Sequence, residues 1–213
     1  PEYIEQIEVF VDDVQAVLSI ACGVGVQYIA ERYKEVPALA GLNTDFIDNI
    51  HYSAPMHDIG KIGIPDKILL KPGKLTSDEF KIMKTHSRIG SKLLSESNSR
   101  IVQLAQEIAL THHEKFNGCG YPSGVKGEDI PISGRIVAIS DTFDALTSKR
   151  PYKDPYPPEV VFDILKKERE EHFDPAILDC FIDNFDRFLS IRGNITTADS
   201  ETVSQFILSE RDR

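Results

Sequence analysis

The chain has 213 residues, 41% of them apolar, and a formal net charge of −10. That length suits one good-sized domain, or one domain plus a helical appendage, with enough apolar residues for a full core. The acidic balance excludes a protein that coats DNA by neutralising phosphates, and a small anionic substrate would need a local positive centre such as bound metal ions.

Nearly all of the chain reads as helix, with no sustained two-residue alternation, so the expected class is all-α. Residues 2–21 place Ile4, Val11 and Leu18 in one seam with Ile7, Val14 and Ala21 in the matching offset. That is a coiled-coil pattern of about three heptads. Because Val9, Phe10 and Val17 widen the stripe, an ordinary amphipathic helix lying on its own domain stays open. A second helix is expected over 26–36, stopping before Pro37. Thr44-Asp45 caps a third, which carries Phe46, Ile47 and Ile50 towards Met56 and His57. The stretch from Gly60 to Gly73, with Pro65 and Pro72, reads as loop.

Thr76-Ser77-Asp78-Glu79 has the form of a capping box and predicts a long helix through His86 to Leu94. Another helix is expected from about Arg100 to His113. A Gly- and Pro-rich loop follows over 117–134, then helices at about 135–148, 158–170 and 175–190. The run Ile136-Val137-Ala138-Ile139 alone could be strand. After Gly193 the chain turns polar, with Val203, Phe206, Ile207 and Leu208 able to dock as a short helix. The expected division is a helix over 1–22, a domain over 23–192 and a tail over 193–213. No apolar run is long enough to span a bilayer, and no secretion signal opens the chain. Cys22, Cys119 and Cys180 are odd in number and scattered, which fits a reducing, cytoplasmic setting.

Chemistry concentrates in histidines that stand with carboxylates. His57-Asp58 ends one helix, His86 sits within another, His112-His113 ends a third, and Asp141 is expected to start a fourth. Imidazole nitrogens and carboxylate oxygens together suit first-row transition metals, and an aspartate can bridge two ions. Two ions about 3.5–4 Å apart can hold a hydroxide between them and clamp the oxygens of a phosphoryl group in displacement. Such a site requires no nucleophilic side chain.

The motifs around these residues are specific. His57-Asp58-Ile59-Gly60-Lys61 resembles the signature of the HD superfamily of metal-dependent phosphohydrolases. Ile64-Pro65-Asp66, Leu70-Lys71-Pro72-Gly73-Lys74-Leu75 and Lys84-Thr85-His86 resemble its HD-GYP subfamily. So do His112-His113-Glu114, Gly118-Cys119-Gly120-Tyr121-Pro122, the run Asp141 to Ser148, Arg150-Pro151-Tyr152-Lys153 and His172-Phe173-Asp174-Pro175. The likeness covers roughly 44–190.

The resemblance implies an HD-type helical bundle behind an N-terminal linker helix. It implies hydrolysis of cyclic di-GMP to pGpG or on to GMP, with two divalent ions, iron or manganese by family habit and nickel or zinc equally suited by ligand type. His57, Asp58 and Asp141 would hold one ion, and Asp58 would bridge to a second held by His86, His112 and His113. Lys61 would reach a phosphate oxygen and offset charge in the transition state. Arg150 and Lys153 would face the substrate as phosphate- or guanine-binding cations, with two surface cations in a turn as the open alternative. Gly120 and Tyr121 would border the site, the glycine allowing close backbone approach and the tyrosine a hydroxyl or stacking face. His51 and His172 read as structural, with Asp174 as an N-cap before Pro175.

Family members carry a glutamate and a histidine one helical turn apart upstream of the His-Asp pair. Residues 19–26 contain neither. Either the chain lacks that ligand, or a segment is missing from the sequence at the Cys22–Gly25 join. The expected context is an output domain of a bacterial signalling protein. Its leading helix would join a sensory or receiver domain or pair two copies, and a diguanylate cyclase is a candidate partner. A catalytically silent binder and a phosphohydrolase of another cyclic dinucleotide remain as rival readings.

Overall fold

A computed structural model describes residues 41–148 and 154–190. The coiled-coil seam, the helix at 26–36, the Cys22–Gly25 join, Arg150, Lys153 and the tail lie outside the described residues. Among the described residues the fold is helical, with one isolated bridge between Arg169 and Phe173 in place of any sheet.

The first described helix, α1, spans Thr44–Ser53. Its cap is Asn43, one residue ahead of the expected position, whose side chain accepts the amide of Phe46 at 2.8 Å. A short 3-10 turn, Ala54–Met56, then hands the chain to His57 and Asp58. The stretch expected as loop is partly helical: a 3-10 helix covers Ile59–Gly63, and α2 covers Asp66–Leu69 behind Pro65. Helix α3, Ser77–Met83, opens on the predicted capping box, with the Thr76 hydroxyl on the Glu79 amide and the Glu79 carboxylate on the Thr76 amide.

The long helix expected through His86 is broken. α3 ends at Met83 and α4 runs over His86–Leu93. At the joint the Thr85 hydroxyl donates to the Ile82 carbonyl at 2.6 Å, and the freed Met83 carbonyl faces Nδ1 of His86 at 2.7 Å. Helix α5 spans Arg100–Thr111, with His112 as its C-cap. After the Gly-rich loop, which holds a 3-10 turn at Gly127–Asp129, helix α6 spans Ile132–Thr147. It absorbs the Ile136–Ile139 run, whose four residues are all buried. A continuous apolar run of four fits a strand or a helix buried on every side equally well, and here the helix wins. Helices α7, Pro158–Lys167, and α8, Pro175–Asp183, follow. Residues 185–190 are helical again.

The main core joins α1, α5, α6, α7 and α8 through Ile50, Ile108, Phe143, Leu165 and Phe181, all at most 1% exposed. A smaller cluster of Met56, Ile59, Leu94, Ala105 and Ala109 seats the 3-10 turns and α4 on α5. That second contact is close because Gly60 faces α4. A Cβ on Gly60 would lie 1.9 Å from the His86 carbonyl oxygen and 2.4 Å from the Gly90 amide nitrogen. The seam between the two clusters is where the chain delivers its histidines.

Candidate metal centre

Four separate elements bring His57, Asp58, His86, His112, His113 and Asp141 together. His57 and Asp58 stand between the two 3-10 turns, and His86 is the first residue of α4 rather than lying within a longer helix. His112 and His113 leave the end of α5. Asp141 sits inside α6, two turns past its start, so the expectation that it begins a helix is corrected. One ligand atom each from Asp58, His86, His112 and His113 falls within 4.8 Å of the others. His57 joins through Nε2, 3.3 Å from Oδ2 of Asp58 and 3.8 Å from Oδ1 of Asp141. Oδ1 of Asp58 lies 3.3 Å from Nε2 of His86 and 3.8 Å from Nε2 of His112.

The orientation of the rings follows from the backbone. Nδ1 of His57 faces the Ala54 carbonyl at 2.8 Å, Nδ1 of His86 faces that of Met83 at 2.7 Å, and Nδ1 of His112 faces that of Ile108 at 3.0 Å. A nitrogen facing a carbonyl oxygen must carry a proton, so Nε2 of the neutral His86 and His112 rings presents a lone pair to the interior, and Nε2 of His57 faces the Asp58 carboxylate. This is the outer-shell arrangement that fixes the tautomer of metal-binding histidines. Nε2 of His86, Nε2 of His112 and Oδ1 of Asp58 are buried and have no hydrogen-bond partner. Buried acceptors left unsatisfied are costly in a protein interior, and a cation among them satisfies all three at once. The residues present therefore fit a divalent metal ion.

Electrostatics point the same way. Burial lowers the pKa of His86 and of His112, and brings that of His113 down to about 3, so these rings are neutral ligands at ordinary pH. His57 moves in the opposite direction. Burial lowers its pKa, but Asp58 and then Asp141 outweigh burial and raise it to about 9. Burial alone would raise the Asp58 carboxyl, yet His57 and Lys61 hold it well below the usual carboxylate range. Lys61 makes a short ion pair with Oδ2 of Asp58 from the next turn of the chain. Its ammonium thus stands at the mouth of the cluster.

Tyr121 closes one side. Its ring stacks on His113 with centroids 4.7 Å apart and planes 29° apart, and its amide donates to the His113 carbonyl at 3.2 Å. Gly120 lies against the chain's own backbone. A Cβ there would come within 2.3 Å of the Lys115 amide nitrogen, so the missing side chain serves the loop's packing on Glu114 and Lys115. His51, beside Tyr52, is not part of the cluster. His172 stacks on the core ring of Phe173, and Asp174 accepts the Ala176 and Ile177 amides as the expected N-cap.

Sequence reasoning gave no role to Glu114. It is 2% exposed, and its carboxylate accepts the amides of Ser123, Gly124 and Val125 at 2.7, 3.0 and 3.2 Å. The donors are backbone groups nine to eleven residues ahead. Its place directly after the histidine pair was the available signal. Lys84 was likewise missed as an individual residue. It is the C-cap of α3.

The chain matches the HD domain family over residues 18–177. A cyclic di-GMP phosphodiesterase of Thermotoga maritima is 54% identical over 142 residues, covering 67% of this chain and 39% of that protein. The 3'3'-cGAMP-specific phosphodiesterase 2 of Vibrio cholerae is 44% identical over 173 residues, covering 81% and 33%. The cyclic di-GMP phosphodiesterase response regulator RpfG of Xanthomonas campestris is 44% identical over 178 residues, covering 82% and 47%. The chain thus spans less than half the length of each of these curated relatives. A crystal structure of a cyclic GMP-AMP-specific phosphodiesterase from Vibrio cholerae aligns with a TM-score of 0.61 at 15% identity, over 85% of this chain and 49% of the other, a likeness of fold. With the helical fold, the histidine–aspartate cluster and these relatives taken together, the chain belongs to the HD domain family, in its HD-GYP branch.

Proposed function

We propose that this domain hydrolyses the phosphodiester bonds of cyclic di-GMP, releasing pGpG or GMP, at two divalent ions held by His57, Asp58, His86, His112, His113 and Asp141. The observation that carries the reading is the set of orphaned buried acceptors, Oδ1 of Asp58 and Nε2 of His86 and His112, aimed at one point. Iron or manganese is the favoured metal, with nickel and zinc compatible with the same donors. Ions bound there would supply Lewis acidity towards the phosphoryl oxygens and activate water at neutral pH.

The chain's own residues do the rest. The carbonyls of Ala54, Met83 and Ile108 engage Nδ1 of three imidazoles and aim each Nε2 inwards. Asp58, with one oxygen towards His57 and Lys61 and the other towards His86 and His112, is suited to bridge. Lys61, already at Asp58, can turn to a phosphate oxygen as negative charge builds. Arg150 and Lys153 are proposed to bind the substrate from the segment after α6, and Gly120 and Tyr121 to border it. The wider context proposed is a signalling protein in the cytoplasm, as the name of the response-regulator relative supports. The leading helix would carry an input domain or pair two copies, and a diguanylate cyclase would be a partner.

A second substrate, 3'3'-cGAMP, is supported by the relative at 44% identity that carries it in its name. Metal and product analysis on cyclic di-GMP, for the wild type and for Asp58→Ala, tests the proposal. Two ions per chain and turnover that vanishes with Asp58 are expected. Full metal occupancy without turnover of either dinucleotide, under reducing conditions with iron or manganese supplied, would instead mark the domain as a silent binder.

A further inference from the structure

Beyond the ligand cluster, a ladder of rings and one ammonium extends from His113 to the surface. Tyr121 stacks on His113 at 4.7 Å. Nζ of Lys84 lies 5.0 Å above the Tyr121 ring and 4.9 Å above the Phe80 ring. Phe80 is a large apolar side chain left 47% exposed. The neighbouring charges on this face are committed elsewhere: Lys71 to Glu79, and Lys81 to Asp78. No carboxylate among the described residues pairs with Lys84. On α4, Arg88 donates to the Pro122 carbonyl at 2.9 Å and so ties that helix to the residue after Tyr121. On a chain of net charge −10, an ammonium set over two aromatic rings beside the ligand cluster is a local positive point.

A cyclic dinucleotide has two phosphodiesters and two purines, and only one diester can sit on the metal cluster in a given cleavage. The other half requires a positive point and a flat apolar face nearby. We propose that Lys84, held between Tyr121 and Phe80, binds this non-scissile half, its ammonium on the second phosphate and the open face of Phe80 under a purine. The last turn of α3 is what makes the subsite. Lys84 is the C-cap of α3, its amide bonded to the Phe80 carbonyl at 3.0 Å, so this last helical turn sets its ammonium over the Phe80 ring and beside Tyr121. Ammonium–phosphate pairing and base stacking on an aromatic face are both established contributions to nucleotide binding.

This inference rests on the substrate class proposed above, so its test separates the two. The metal-loaded protein is assayed on cyclic di-GMP and on bis(p-nitrophenyl) phosphate, a diester with neither a second phosphate nor a purine. Lys84→Gln is expected to lower the ratio of kcat/KM on the dinucleotide to that on the small diester by about ten-fold, the usual scale for losing one charged hydrogen bond. Lys84→Arg is expected to restore most of the ratio, and Lys81→Gln, which removes an exposed charge on the same helix, to leave it unchanged. An unchanged ratio for Lys84→Gln overturns the subsite, and so does an equal fall for Lys81→Gln. If the wild type cleaves only the small diester, the proposed reaction fails. Calorimetric titration with cyclic di-GMP then decides the subsite, weaker binding by Lys84→Gln supporting it and equal binding refuting it.

Discussion

Tyr121 lies flat on His113, centroids 4.7 Å apart, because Glu114 pins the loop that carries the tyrosine. One buried carboxylate gathers three consecutive amides just past Pro122, and the Gly120 backbone packs on Glu114 itself. Glu114→Ala strands those amides. We expect a loss on the order of 2 kcal/mol in urea unfolding, within the range for hydrogen bonds to a charged group. Glu114→Gln, which keeps one acceptor oxygen, should lose less. Equal stability of wild type and the alanine variant would show that water replaces the carboxylate without cost.

Two glycines on one 3-10 turn provide an internal comparison. A methyl on Gly60 meets backbone of α4, whereas a methyl on Gly63 meets only the side chain of Ile89, at 2.9 Å. Gly60→Ala must push α4 away and with it His86, whose Nε2 lies 3.3 Å from Asp58. The expected cost is about 3 kcal/mol, the upper end for overpacking, with a fall in bound metal. For Gly63→Ala the side chain can rotate, and the cost should stay below about 1 kcal/mol. Chemical denaturation with parallel metal analysis checks both, and equal costs would refute the account.

The capping box of α3 was legible in four consecutive residues and formed as read. The Thr76 hydroxyl accepts the Glu79 amide at 3.3 Å, and Glu79 also pairs with Lys71. Thr76→Ala should therefore destabilise by about 1 kcal/mol, the usual value for a lost N-cap. A change within experimental error in the urea midpoint would mean that the Lys71 pair alone holds the turn.

That contrast explains what the sequence disclosed. His57-Asp58 and His112-His113 are adjacent pairs inside motifs, so their grouping as ligands could be read from short strings. Asp141 was found as a ligand candidate but set at a helix start, because the apolar run before it carries no period when buried on all sides. The division of α3 from α4 was hidden, since neither Lys84 nor Thr85 forbids a helix. What breaks it is the Thr85 hydroxyl and the His86 ring taking over carbonyls, an outcome of packing around the metal site. Glu114 was invisible in role because its partners are amides, which every residue but proline possesses.

His172 provides the pH prediction. An unfolded histidine titrates near pH 6.5, whereas burial and then Lys115 bring His172 down to about 4, with Asp141 opposing. Between those values the unfolded chain takes up a proton that the folded chain refuses. Stability from this residue is therefore fully present above pH 6.5 and is lost as pH falls towards 4. His113 contributes with the same sign, so the wild type should weaken steadily over this range. His172→Phe preserves a ring on Phe173 and removes one proton from the balance. Urea midpoints measured at several pH values across the window should then fall less steeply, by up to about 1.4 kcal/mol per pH unit. A slope identical to that of the wild type would mean that His172 takes up its proton as readily in the fold as in the unfolded chain. Its contact with Phe173 would then have to be reconsidered as one made by a charged ring.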